Sequence, residues 1–150
     1  MNGGFCQDNF SERKTVSLLW YWIPPIACAA GIFYLSSLSH PEETLPSFLE
    51  LLGDKALHMI EYGIFGILCF RAFRHAGGPW AAQYALLLAI VTAVLYGITD
   101  EIHQAQVPFR ESSGWDVLAD SVGACMAVPT WRALVELKEK SRKAAEGYQA

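Results

Sequence analysis

Three short stretches of this chain carry acids, bases and cations at helical spacing. Lys55, His58, Glu61 and Tyr62 lie in the first. Asp100, Glu101, His103 and Gln104 lie in the second. Asp116 and Asp120 lie in the third, with Arg110 just ahead of them. Lys55, His58 and Tyr62 follow an i, i+3, i+7 pattern that puts them on one helix face, and Gly97, Asp100, Glu101 and Gln104 form a similar stripe. His58 beside Glu101 or Asp100 makes an acid/base pair for proton transfer, with Asp116 and Asp120 to orient it. Lys55 and Arg110 are the cations suited to an anionic group such as phosphate. Gln104, Glu61, Tyr62 and His103 complete the candidate binding set. The run "DEIHQ" lacks the two histidines at i and i+4 of a zinc-protease helix. His58 and His103 with the nearby acids suit a divalent metal in type but in no diagnostic spacing, so no metal ligand is assigned. Asp116 and Asp120 match one half of the DxxxD signature of lipid-head-group transferases, and the preceding half is missing. No serine or cysteine stands in a nucleophile motif; Ser112 and Ser113 read as loop or N-cap residues.

The elements that must position these groups are unusually apolar. The chain has 150 residues, of which 53% are hydrophobic and 17% charged, with mean hydropathy +0.23. Val16 to Leu35 and Trp80 to Thr99 contain no charge. Each run is about 20 residues, enough to cross a hydrocarbon core of about 30 Å as a helix. Pro24 and Pro25 fall inside the first run and predict a kink there. Ala56 to Phe73 and Val117 to Leu134 are weaker spans, each carrying polar residues near its ends. The reading is all-α: an integral membrane up-down bundle of four transmembrane helices, at about 16–38, 55–74, 80–103 and 115–135, with a helical tail over 136–150. Pro41 and Pro46 mark the first loop, Gly77-Gly78-Pro79 the second, and Gly114 precedes the last span.

Charge gives the bundle a direction. Arg13, Lys14, Arg71, Arg74, Arg132, Lys138, Lys140, Arg142 and Lys143 fall on one side of a four-span topology; Lys55 and Arg110 fall on the other. The positive-inside rule then puts both termini in the cytoplasm, and the resemblance described below implies the cytoplasmic (inner) membrane of a bacterial cell. All three polar stretches fall at the outer end, where they are expected to form an outward-facing pocket. Ala119, Gly123 and Ala127 repeat small residues at a four-residue interval, which lets a neighbouring helix approach closely. No basic patch interleaved with aromatics is present, which excludes a nucleic-acid partner. Cys6, Cys28, Cys69 and Cys125 form no metal or disulfide pattern.

Three blocks, "FYLSS", "DKALHMIEYG" and "LYGITDEIHQAQVPFRESSGWDVLADSVGA", resemble the VanZ-like family of small bacterial membrane proteins. The similarity covers about Trp20 to Val128. The motif positions it carries over are Asp54, Lys55, His58, Glu61, Tyr62, Asp100, Glu101, Gln104, Pro108, Arg110, Asp116, Asp120 and Gly123. Met59 stands where the family often has Phe, and Met126-Ala127 where a second Gly is common. The name-giving member confers resistance to teicoplanin, which acts on the outer envelope, so the resemblance implies an envelope role. Three functions compete on the sequence: an enzyme acting on an envelope lipid or lipid-linked head group, a non-catalytic binding or assembly protein whose polar cluster braces the bundle, and a small transporter. No cofactor is implied by any motif. The expected partners are the lipid bilayer and an anionic lipid head group or envelope precursor.

Overall fold

The computed structural model describes residues 4–39, 53–110 and 112–148, with side chains described for 18–39, 53, 55–110 and 112–146. Pro41 and Pro46 of the first loop lie outside the described residues. Among those described, the chain is helical with no strand. Helix α1 spans Gly4–Ser36, α2 Asp54–Ala76, α3 Gly78–Gln83, α4 Ala85–Gln104 and α5 Gly114–Tyr148. Helix α1 runs through Pro24 and Pro25 without interruption.

Contacts between side chains fix the directions. Tyr21 stacks on His75 and Trp22 meets Phe73 edge-on, joining the early part of α1 to the end of α2. Phe33 stacks on His103, joining the end of α1 to the end of α4. Lys55 pairs with Asp116, joining the starts of α2 and α5. Successive long helices therefore run up and down. The Tyr96 hydroxyl donates to the Ala29 carbonyl at 2.7 Å and ties α4 to α1.

Helix α4 shows why this sequence folds inside a bilayer. Its buried face is Ala85, Ala89, Ala93, Gly97, Asp100, Glu101 and Gln104. Its exposed face carries Leu87, Val91, Leu95, Ile98 and Ile102. Small and polar residues point inward and bulky apolar ones outward, the reverse of a helix on a water-soluble core. Small residues let backbones approach where lipid gives no hydrophobic drive to associate. Helices α2 and α5 use the same device. A Cβ on Gly123 would stand 2.1 Å from the Met59 carbonyl oxygen, and one on Gly63 3.1 Å from the Ala127 methyl.

Among the described residues, three helices are long and apolar enough to cross a membrane: Leu18–Ser36, Lys55–Ala76 and Ala85–Gln104, with mean hydropathies of 1.5, 1.3 and 1.8. The expectation that all four spans reach that level is corrected: three do, and α5 falls short of it. Asp116, Asp120, Ser121, Pro129, Thr130 and Arg132 dilute the apolar character of α5 below that level. The expected third span also differs at its start. Gly77 ends α2, Gly78 takes φ 80°, Pro79 opens the short α3, and the chain breaks at Tyr84 before α4 begins. An uncharged run says nothing about such a break, because Tyr84 is as apolar as its neighbours. The expected tail is present as an unbroken continuation of α5, whose residues 129–146 are exposed.

Candidate functional site

The predicted polar residues meet at one end of the bundle. His58, Tyr62, Asp100, Glu101, Gln104, Asp116 and Asp120 are all buried, and Asp120 is fully so. Helix α2 supplies the base and cation, α4 two acids and an amide, α5 two more acids. The close approach of α2 to α5 at Gly123 puts His58 beside Asp120, and its Nδ1 donates to Asp120 Oδ1 at 3.0 Å. One turn earlier, the Lys55 ammonium contacts Asp116 Oδ1. Lys55 is half exposed while Asp116 is buried, so this pair sits at the mouth of the cluster.

Helix α4 closes the other side. Gly97 lies against Asp120 and Tyr62: a Cβ there would be 2.7 Å from Asp120 Oδ2 and 3.3 Å from Tyr62 Cε1. Glu101 reaches past the end of its helix. Its Oε2 accepts from the Ser112 hydroxyl at 3.1 Å and the Ser113 backbone N–H at 2.8 Å. Gln104 Nε2 donates to Asp100 Oδ2 at 3.0 Å and to Ser36 Oγ at 3.3 Å. Glu61 is half-buried and within electrostatic reach of His58, Asp100, Asp120 and Arg110. Arg110 is carried there by a turn in which Phe109 adopts φ 63°, a left-handed conformation uncommon for a bulky residue.

His103 is placed differently from the rest. It stacks on Phe33 and donates from Nε2 to Ser37 Oγ at 3.0 Å, the Ser37 proton being given to the Phe33 carbonyl. It therefore faces α1. Four serines enter the site's bonding that residue type alone did not flag: Ser36, Ser37, Ser112 and Ser113. Ser113 has the capping role read from the sequence, its Oγ accepting from the Trp115 N–H at 3.2 Å, and it also holds Glu101. The alanine stripe Ala85, Ala89, Ala93 was a further missed signal. Its four-residue interval runs straight into Gly97 and Glu101.

Most of the cluster is knitted together by its own bonds. Three buried atoms have no hydrogen-bond partner among the described residues: the Tyr62 hydroxyl oxygen, Glu101 Oε1 and Asp120 Oδ2. An unsatisfied buried polar group costs about 1–3 kcal/mol, and more when charged. One ligand atom each from His58, Glu101 and Asp116 lies within 4.8 Å of the other two. The opposite end of the bundle is basic. A cavity of about 210 Å³ there is lined by Arg71, Arg74, His75, Trp131, Arg132 and Glu136 among others. The two ends are thus chemically distinct: acids with few cations at one, arginines at the other.

A family model described as VanZ/LLP1 matches residues 7–135, a stretch that includes every residue of the cluster. The chain belongs to the VanZ/LLP1 family. As a VanZ/LLP1 protein with three apolar helices of spanning length, it is a membrane protein. Comparison with curated proteins and with solved structures found no match.

Proposed function

We propose that this VanZ/LLP1 protein sits in the bacterial cytoplasmic membrane with both termini inside the cell, and that its polar cluster faces outward to take an anionic lipid head group or lipid-linked envelope precursor. The carrying observation is the convergence of His58, Glu101, Asp116 and Asp120 from three helices at the end opposite the arginine-lined one. In this reading α5 is a fourth span. Its exposed Trp115, Leu118, Val122 and Met126 recur at helical spacing, a lipid-facing stripe opposite buried Asp116, Asp120 and Gly123. Positive-inside asymmetry then sets the direction.

Lys55, at the mouth of the cluster, and Arg110, within electrostatic reach of Glu61, contact the phosphate. His58, oriented by Asp120, and Glu101 exchange a proton with the head group, with Asp100, Asp116 and Gln104 fixing the acids around them and Glu61 and Tyr62 lining the base. Altered handling of such a head group is also how the chain would change susceptibility to teicoplanin-type glycopeptides. The test is envelope lipid composition in a strain lacking the chain, restored with wild type or Glu101→Gln. Wild type restores the composition and Glu101→Gln does not. Full restoration by Glu101→Gln removes Glu101 from proton transfer.

A second reading has an observation of its own. The Lys55–Asp116 and His58–Asp120 pairs join α2 directly to α5, so the cluster also suits a bracing role in a binding or assembly protein. Under that reading Glu101→Gln and Asp100→Asn lose folded protein rather than activity.

A further inference from the structure

The acid cluster poses a problem of charge. Asp100, Glu101, Asp116 and Asp120 are buried together. The cations near them are the half-exposed Lys55, His58 when protonated, and Arg110. Buried carboxylates are stable only when paired, protonated or bound to a metal. Glu101, at 5% exposure, keeps Oε1 without a partner among the described residues, the kind of orphan that an ion or ordered water explains.

We propose that His58, Glu101 and Asp116 bind one divalent metal ion of the Mn²⁺ or Zn²⁺ class. Their ligand atoms all lie within 4.8 Å of one another. Around an ion with bonds of about 2.0–2.2 Å, donors stand about 3 to 4.4 Å apart, so the three reach one ion through small side-chain adjustments. Two of the candidate ligands are already held from behind. His58 gives its Nδ1 proton to Asp120, the carboxylate–histidine arrangement that fixes the tautomer and presents Nε2 as the donor. Glu101 is held by Ser112 and Ser113 through Oε2. Asp116 differs: the Lys55 ammonium contacts its carboxylate and competes with an ion for it. One imidazole and two carboxylates, with no thiolate, suit Mn²⁺ or Zn²⁺ rather than a soft ion such as Cu⁺. The three ligands come from α2, α4 and α5, so the ion also clamps the end of the bundle. Once bound, the ion takes the place of proton exchange by His58 and Glu101 and supplies the positive charge by which an acidic cluster faces an anionic head group, although the site stands on its own geometry whether or not that reading holds.

The test uses the full chain purified in a neutral detergent, titrated with Mn²⁺ alone and without phosphate or lipid. Binding is followed by loss of the aqueous Mn²⁺ electron paramagnetic resonance signal, with Zn²⁺ as competitor. Wild type takes up a single ion per chain, saturably. Glu101→Gln, in which the side-chain oxygen can still accept from Ser112 and Ser113, weakens binding at least tenfold. Asp120→Asn weakens it about 10- to 100-fold through loss of the histidine's orienting carboxylate. Lys55→Met removes a competing cation and tightens binding, a result that does not depend on any weakened variant remaining folded. His103→Ala leaves it unchanged. Absence of saturable uptake by wild type at millimolar Mn²⁺ overturns the assignment, as does unchanged affinity in Glu101→Gln. Because no phosphate is present, either outcome leaves the head-group reading to be judged by its own experiment.

Discussion

Gly123→Ala is the most revealing single change in this fold. The added methyl would stand 2.1 Å from the Met59 carbonyl oxygen, 2.7 Å from Met59 Cα and 2.8 Å from its carbonyl carbon. All three are backbone atoms of α2, so no side-chain rotation relieves the contact. Reaching even a tight 3.0 Å requires α2 and α5 to move apart by about 1 Å. Overpacking a closely fitted interior costs about 1–3 kcal/mol, and a backbone-to-backbone contact belongs at the upper end. The same separation stretches His58–Asp120 from its 3.0 Å and pulls Lys55 from Asp116, because both pairs bridge these two helices. Thermal unfolding in detergent measures the effect. A loss of about 3 kcal/mol lowers the midpoint by roughly 6–12 °C in a chain of this size. Gly31→Ala is the control, since nothing lies within 4 Å of a Cβ there and the higher helix propensity of Ala applies. A midpoint for Gly123→Ala within 1–2 °C of wild type, roughly 0.5 kcal/mol or less, would refute the claim that backbone contact between α2 and α5 sets the site.

Four further outcomes follow from the same geometry. Asp120→Ala removes the buried hydrogen bond from His58 Nδ1 and destabilises the fold by about 1–3 kcal/mol, read from the same melt. Lys55→Ala takes the cation from the buried Asp116 carboxylate and costs about 1–3 kcal/mol, less than loss of a wholly buried pair because Lys55 is half exposed. Tyr96→Phe removes the hydroxyl bond to Ala29 that ties α4 to α1, at about 0.5–1.5 kcal/mol. Arg132→Ala breaks an exposed i, i+4 pair with Glu136 and leaves the midpoint within 1–2 °C, no more than about 0.5 kcal/mol.

Particular residues show what the sequence made legible. Lys55, His58 and Tyr62 at i, i+3, i+7 do share a face, and the stripe from Gly97 to Gln104 is buried as its spacing implied. These patterns were readable because a helix converts spacing directly into direction. Gly123 and Ala127 of the small-residue interval likewise face α2. Other features depend on partners far along the chain. Nothing local to Ser112 or Ser113 announces that they hold Glu101, and nothing local to His103 says that it packs on Phe33 of α1. The apolar count of Val117 to Leu134 was misleading for a different reason. Asp116 and Asp120, buried in the cluster, and Pro129, Thr130 and Arg132 beyond it bring α5 below the hydropathy of the other long helices.

The account turns on whether the cluster end of the bundle holds an anionic lipid. Native mass spectrometry of the purified chain, released gently from its membrane, measures this directly in wild type, Arg110→Ala and Arg74→Ala. The prediction is a phosphate-bearing lipid retained by wild type and by Arg74→Ala, whose arginine lines the opposite end, and lost from Arg110→Ala. Equal retention in all three, or loss only from Arg74→Ala, would contradict the account.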